Sequence, residues 1–408
     1  MINRTKFFDF IIIFLILLVS SCASLDVKPI GNQGNFIKEP DEERIWKRCT
    51  EEQEIIARSG WIYNDANLNA YLNGLVVKML PEDVKAMSST VKIFVIKNPN
   101  INACMYPNGV MYVHTGLLAN INDEAQLVSI LGHELTHFIN RHTLKQFRNQ
   151  INKSAFFATV SMVATSASGL TTHPTDFSSL GMYSLVSSVS GYSREQEREA
   201  DKGGFEALLR GGYSLPESVK VIEIFEEDYK DDKNKIRVPY AFLDHPTNQA
   251  RIKYLKKLCK LYEAEANDKS RLVGEEVYSK NTWDLLLDNA NLDIRASRFN
   301  SANRAIEKYS KLSPQNAKAY YYLGEIFSNS NEKDDQTKAI ENYKKSIELN
   351  KDFPFSHRDL GIIYYKNKLS DEARSEFEKY LTLVPDAEDK KYIVTYLDEL
   401  KKRKGDKE

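Results

Sequence analysis

The chain has almost no surplus charge: 56 Lys and Arg stand against 57 Asp and Glu in 408 residues, so nothing in the balance favours a nucleic-acid partner. Glycine is scarce at 18 residues and charge is scattered, which argues against fibrous or long low-complexity tracts. Cysteine is scarcer, four residues without a single C-x-x-C spacing, so neither a thiolate zinc site nor a dithiol redox centre is indicated. A hydrophobic content of 42% is enough for a real core, and the length leaves room for two or three domains.

The first 22 residues stand apart. Arg4 and Lys6 precede the apolar run Phe10 to Val19, which is about half of the roughly 20 residues that a membrane-crossing helix needs. That length suits the hydrophobic region of an export signal. Val19, Ser20, Ser21 and Cys22 resemble a bacterial lipobox, and the resemblance implies lipidation of Cys22 and attachment to a membrane through several acyl chains. An ordinary cleaved signal or an uncleaved anchor is the alternative. Ala23 after the cysteine implies, by the usual sorting pattern of two-membrane bacteria, the periplasmic side of the outer membrane. Of the other cysteines, Cys49, Cys104 and Cys259, one pair is possible, and three buried free thiols are the preferred reading.

Residues 23–40 are rich in Gly, Pro and Asn and read as a tether. Helical spacing follows over Glu42–Ala57 and Asn67–Met79, then strand patterns over residues 91–96 and 109–113. A long helix is expected from near Asp123, with Asn122 as N-cap, to about Arg148. The Ser-, Ala- and Gly-rich residues 154–192 suggest a pair of small-residue helices, with contact to a membrane surface as the lesser reading. Ser193 is expected to cap a helix that Gly211 and Gly212 end.

Further on, Tyr320, Leu323, Gly324, Ala339 and Tyr343 are echoed by His357, Leu360, Gly361, Ala373 and Phe377. The offsets resemble tetratricopeptide repeats, helix pairs of about 34 residues that commonly bind protein partners. A weaker unit begins near Trp283, and Tyr392–Leu400 is expected to form a capping helix.

The chemistry is concentrated in LGHELTHFINRH, residues 131–142. Helix residues four apart differ by about 40° in direction, so His133 and His137 share one face and together suit one zinc ion. Glu134 lies about 100° round, where it serves a water rather than the metal. His142, about 180° from His133, is expected to point away as a structural residue. His114, His173 and His357 are also expected to be structural. The third ligand is sought in SREQEREAD, residues 193–201, where spacing alone leaves Glu195 with Glu199 and Glu197 with Asp201 as equal candidates.

With these segments in hand, the sequence resembles the HtpX and CAAX-prenyl-protease superfamily of zinc peptidases, most closely its soluble, periplasmic, BepA-like branch. The resemblance rests on NACMYPNGVMYVHTGLL, LGHELTHFINRH, SREQEREAD and DHPTNQARI, and runs through most of residues 55–255. It implies Zn2+ held by His133, His137 and Glu197, Glu134 as general base, and Asp201 as support for a ligand histidine. It leaves Glu195 and Glu199 as solvated or structural carboxylates. It further implies that His245 approaches the metal, either to block it or to stabilise the oxyanion, and that Arg251 supports the site. Asn102 and the strand Gly109, Val110, Met111, Tyr112 and Val113 are implied to form a substrate-binding edge. Cys104, Met105, Tyr106 and Asn108 depart from the residues more usual there.

The expected fold is α+β: a mostly helical, gluzincin-like metallopeptidase domain with a small β-sheet, then an all-α repeat domain. The boundaries are 1–22 signal and lipobox, 23–40 tether, 41–262 peptidase, 263–282 linker, 283–400 repeats with cap, and 401–408 charged tail. The implied activity is endoproteolysis of unfolded or misfolded envelope polypeptides, with the repeats binding a client or partner. A lipoprotein chaperone or scaffold with a vestigial site is the alternative.

Overall fold

In the computed structural model, residues 27–31, 36–151, 192–231, 248–329 and 334–405 are described. Cys22 with its lipobox, His173, His245 and residues 154–191 of the small-residue stretch lie outside them. The chain divides into two units, residues 1–117 with 121–279, and residues 118–120 with 280–408.

In the first unit α1 (Pro40–Arg58) starts where Glu39 and Glu42 form a reciprocal capping box ahead of a proline in the first turn. Ile45, Cys49 and Ile56 give it a buried stripe at helical spacing. α2 (Ala66–Met79) is capped by Asp65, whose carboxylate accepts from the Leu68 amide at 2.9 Å. It buries Leu68, Leu72, Leu75 and Val76.

Three strands follow, β1 (Lys92–Ile96), β2 (Ala103–Met105) and β3 (Val110–His114), in the order β1-β3-β2 with β1 parallel and β2 antiparallel to β3. This corrects the expectation for residues 109–113. Val110 to Val113 lie on the central strand, buried throughout, and the edge belongs to β2. Only three residues long and built of Ala, Cys and Met, β2 carries too weak a strand signal to be seen in the sequence. Along the outer side of β1, the Asn73 side chain bonds both the amide and the carbonyl of Ile93, at 2.9 and 3.1 Å, and residues 61–63 pair with Val95 and Lys97. Among the described residues nothing pairs with the outer side of β2, so that is the side where the sheet can be extended.

After α3 (Thr115–Asn120), α4 (Glu124–Ile139) begins one residue later than expected, capped by Asp123, which accepts from the Gln126 amide at 2.8 Å. It also ends early. Arg141 takes a left-handed backbone, φ 53°, and α5 (His142–Ile151) sets off in a new direction. A left-handed non-glycine residue costs about 1–2 kcal/mol. Two buried contacts offset that cost: Arg141 forms an ion pair with Glu42 at 2.5 Å, and the Ile30 amide bonds the freed carbonyl of Ile139 at 2.8 Å. Val27 and Ile30 are accordingly buried, so this part of the expected tether is docked on the folded unit.

α6 (Arg194–Gly211) carries the expected Ser193 cap, in a capping box with Gln196, and ends at Gly212 in the left-handed conformation. It packs on α4 almost backbone to backbone. A β-carbon at Gly204 would run into the Ser129 carbonyl, and one at Gly203 into the Thr136 side chain. α7 (Glu217–Asp231), α8 (Asn248–Leu261) and the single turn α9 (Glu263–Ala266) complete the unit. Cys49 and Cys104 are buried free thiols in one apolar cluster, and Cys259 is free and half-buried.

The elements from residue 280 onward are all helices among the described residues: α10 (Glu275–Arg295), which starts in the first unit, α11 (Phe299–Leu312), α12 (Ala317–Ser328), α13 (Asp335–Leu349), α14 (Pro354–Lys366), α15 (Ser370–Leu383) and α16 (Lys390–Gly405). Consecutive helices pair as the repeat offsets require, with Phe377 of α15 filling the space that a β-carbon on Gly361 of α14 would take. His357 is buried, its Nδ1 2.5 Å from Glu376 and its Nε2 3.0 Å from the Lys351 carbonyl, a structural role as expected. Among the described residues no helix is long and apolar enough to cross a membrane.

Candidate metal centre

The close approach of α4 and α6 brings carboxylates of one helix onto histidines of the other. His133 and His137 stand one turn apart with their Nε2 atoms 3.2 Å from each other. Glu197 faces both, Oε2 at 3.6 Å from His133 Nε2 and Oε1 at 3.7 Å from His137 Nε2. All three side chains are buried, and one ligand atom from each lies within 4.8 Å of the others.

His133 Nδ1 is 3.1 Å from Asp201 Oδ1. A carboxylate only accepts, so Nδ1 carries the proton and Nε2 turns its lone pair inward. Two imidazoles and a carboxylate converging at these separations form a donor set that suits zinc or a similar divalent metal. Glu195 is exposed and takes no part.

Asp201 is held in turn by Arg251, whose Nη2 approaches its Oδ1 at 2.6 Å and whose Nε lies 3.1 and 3.2 Å from its two oxygens. Burial raises the Asp201 pKa, but the Arg251 guanidinium and the His133 hydrogen bond outweigh it and hold the carboxyl well below the usual carboxylate range. Arg251 thus supports the carboxylate behind His133, and its Nη2 also lies 3.4 Å from His133 Nδ1.

Glu134 is buried beside the cluster, close to the Met105 amide at the end of β2. Burial, reinforced by the Glu197 charge and opposed by Arg251 and the Met105 amide, pushes its pKa up to about 8. Burial likewise lifts Glu197 to about 7. Backbone bonds from Tyr106 to Val110 and from His114 to Asn102 turn those residues inward to β3, so the backbone groups of Ala103 and Met105 face outward. Asn102 is half-buried and its carbonyl serves the His114 amide, while Gly109 to Val113 lie one strand further from the open edge.

Two neighbours were not anticipated. His142, expected to point away, sits against the site with Nδ1 2.9 Å from His137 Nδ1, because the break at Arg141 cancels the continuous-helix geometry. The Asn140-Arg141 dipeptide was the available signal. Tyr192 stacks on His137 with ring centroids 3.9 Å apart and shares a hydrogen bond of 3.0 Å with Thr143. Its position just ahead of the Ser193 cap was the hint. His114 is buried, with Nδ1 3.2 Å from the Asn100 carbonyl.

The sequence pattern of peptidase family M48 matches residues 62–259, and that of a tetratricopeptide repeat matches residues 331–368. The chain is 25% identical over 250 residues to a putative beta-barrel assembly-enhancing protease of Vibrio cholerae, covering 58% of this chain and 50% of that protein. It is 24% identical over 198 residues to the beta-barrel assembly-enhancing protease of Escherichia coli, covering 47% and 39%. It is 28% identical over 175 residues to the human mitochondrial metalloendopeptidase OMA1, covering 41% and 32%. The chain thus spans half or less of the length of these curated relatives.

Proposed function

We propose, from the premise that residues 62–259 of this chain are a peptidase family M48 domain followed by a tetratricopeptide repeat region, that it is a zinc-dependent endopeptidase of unfolded envelope polypeptides. The convergence of His133, His137 and Glu197 beside the buried Glu134 carries this reading. Zinc, when bound there, supplies Lewis acidity that polarises a peptide carbonyl and makes a water acidic enough to attack near neutral pH. Glu134 takes the proton of that water and returns it to the leaving amine. An extended client would add a strand at the outer edge of β2, where Ala103 offers its amide and carbonyl and Met105 its carbonyl. Edge pairing reads main chain, which suits substrates of mixed sequence whose strands are not already paired. The repeats would hold the client or a partner, and lipid on Cys22 would keep the enzyme at the periplasmic side of the outer membrane.

The metal requirement is tested with a zinc chelator on the full chain cleaving an unfolded protein. Cleavage stops on chelation and returns with added zinc, and cleavage that persists in metal-free protein removes this function. The resemblance around DHPTNQARI supports a role for His245. His245→Ala raises the rate if that residue blocks the centre and lowers it if it stabilises the oxyanion. An unchanged rate excludes it from the site.

A further inference from the structure

His142 is the third histidine among the described residues of the site. His142 is 0% exposed, its Nδ1 is 2.9 Å from His137 Nδ1, and its Nε2 is 3.1 Å from Glu199 Oε2. We infer that Glu199 and His142 form a relay that fixes the tautomer of His137, so that its Nε2 lone pair is presented to the metal. The inference rests on the metal reading above.

The direction of the relay follows from hydrogen-bond chemistry. Glu199 is an acceptor, so His142 Nε2 carries the proton. With His142 neutral in its buried site, Nδ1 is left as an acceptor. Two nitrogens 2.9 Å apart need one hydrogen between them, and it must therefore belong to His137 Nδ1. His137 Nε2 is then unprotonated and faces Glu197 and His133 Nε2. The opposite tautomer would point an N–H at His133 Nε2 and occupy the place of the metal.

Each ligand histidine is thus backed by a carboxylate, His133 directly by Asp201 and His137 through an intervening imidazole. Stacking of Tyr192 on His137 and its tilted approach to His142, 5.9 Å between centroids, fix the ring planes. The Asn140 amide adds a bond of 3.0 Å to Glu199, tying the helix break to the relay. Both Glu199 and His142 are positioning residues, since neither reaches the reacting atoms.

The test uses the full chain loaded with zinc and labelled with 15N at histidine. The spectrum is expected to show His137 protonated at Nδ1, His142 protonated at Nε2 only, and a through-hydrogen-bond coupling between the two Nδ1 nitrogens. In competition titrations His142→Leu is expected to lower zinc affinity about 10- to 100-fold, the usual loss for a residue behind a metal ligand. His142→Asn, which keeps an acceptor near the Nδ1 position, restores most of that affinity. A proton on His142 Nδ1, or full zinc affinity in a folded His142→Leu chain, overturns the relay while leaving the zinc centre intact. Failure of the unaltered chain to take up zinc removes the centre and the relay together. Should His142→Leu not fold, the tautomers of the unaltered chain decide the question.

Discussion

Glu134→Gln is expected to lower turnover of an unfolded substrate by about 100- to 10,000-fold, the usual worth of a positioned general base. Zinc content and thermal stability should stay near those of the unaltered chain. Glutamine keeps the size of the side chain and an oxygen near the Met105 amide, so β2 and α4 keep their contact. What glutamine cannot do is take a proton. It also carries no charge, and the burial that raises the Glu134 pKa to about 8 makes a neutral group no worse tolerated there. The loss should therefore fall on kcat with little change in KM. Substrate cleavage and metal analysis on the same preparation check this, and a metal-loaded variant that cleaves at the unaltered rate would end the assignment.

Arg251→Met has the largest expected effect on stability. Arg251 and Asp201 are 4% and 5% exposed in their side chains and 2.6 Å apart, so removing the guanidinium strands a carboxylate in the interior. Breaking a buried pair from one side costs about 3–5 kcal/mol. Adding Asp201→Asn removes the stranded charge and still leaves an acceptor for His133 Nδ1. The double variant should thus recover much of the loss, with a coupling energy well above that of independent sites. Urea unfolding of the four chains in the cycle measures it. A loss under about 1 kcal/mol in the single variant, or a double variant no better than the single, would mean that the pair does not behave as a buried ion pair.

The Ser193 cap and the repeat offsets were legible because they depend on local chemistry, such as a hydroxyl ahead of a helix or a glycine opposite a ring. The pair His133 and His137 followed from helix geometry alone. Choosing among the glutamates of residues 193–201 did not, since spacing treats Glu195, Glu197 and Glu199 alike and only the crossing of α4 and α6 separates them. The edge strand was misplaced for a related reason. Which strand lies outermost is a matter of pairing, and a three-residue strand of Ala, Cys and Met leaves almost no trace in the sequence. His142 was misjudged because helical phase was carried across Arg141, where Glu42 and Ile30, both distant in sequence, stabilise the break.

The docking of Ile30 on Ile139 has a mechanical consequence. A pull on the early part of the chain is delivered to the carbonyl that closes the catalytic helix, and through the Lys28 carbonyl, 3.2 Å from Arg141 Nη1, to the strained residue beside it. The load path is two residues from His137 on one side and one residue from His142 on the other. A protein held by its leading end would thus bear that tension at the hinge between its two paired histidines.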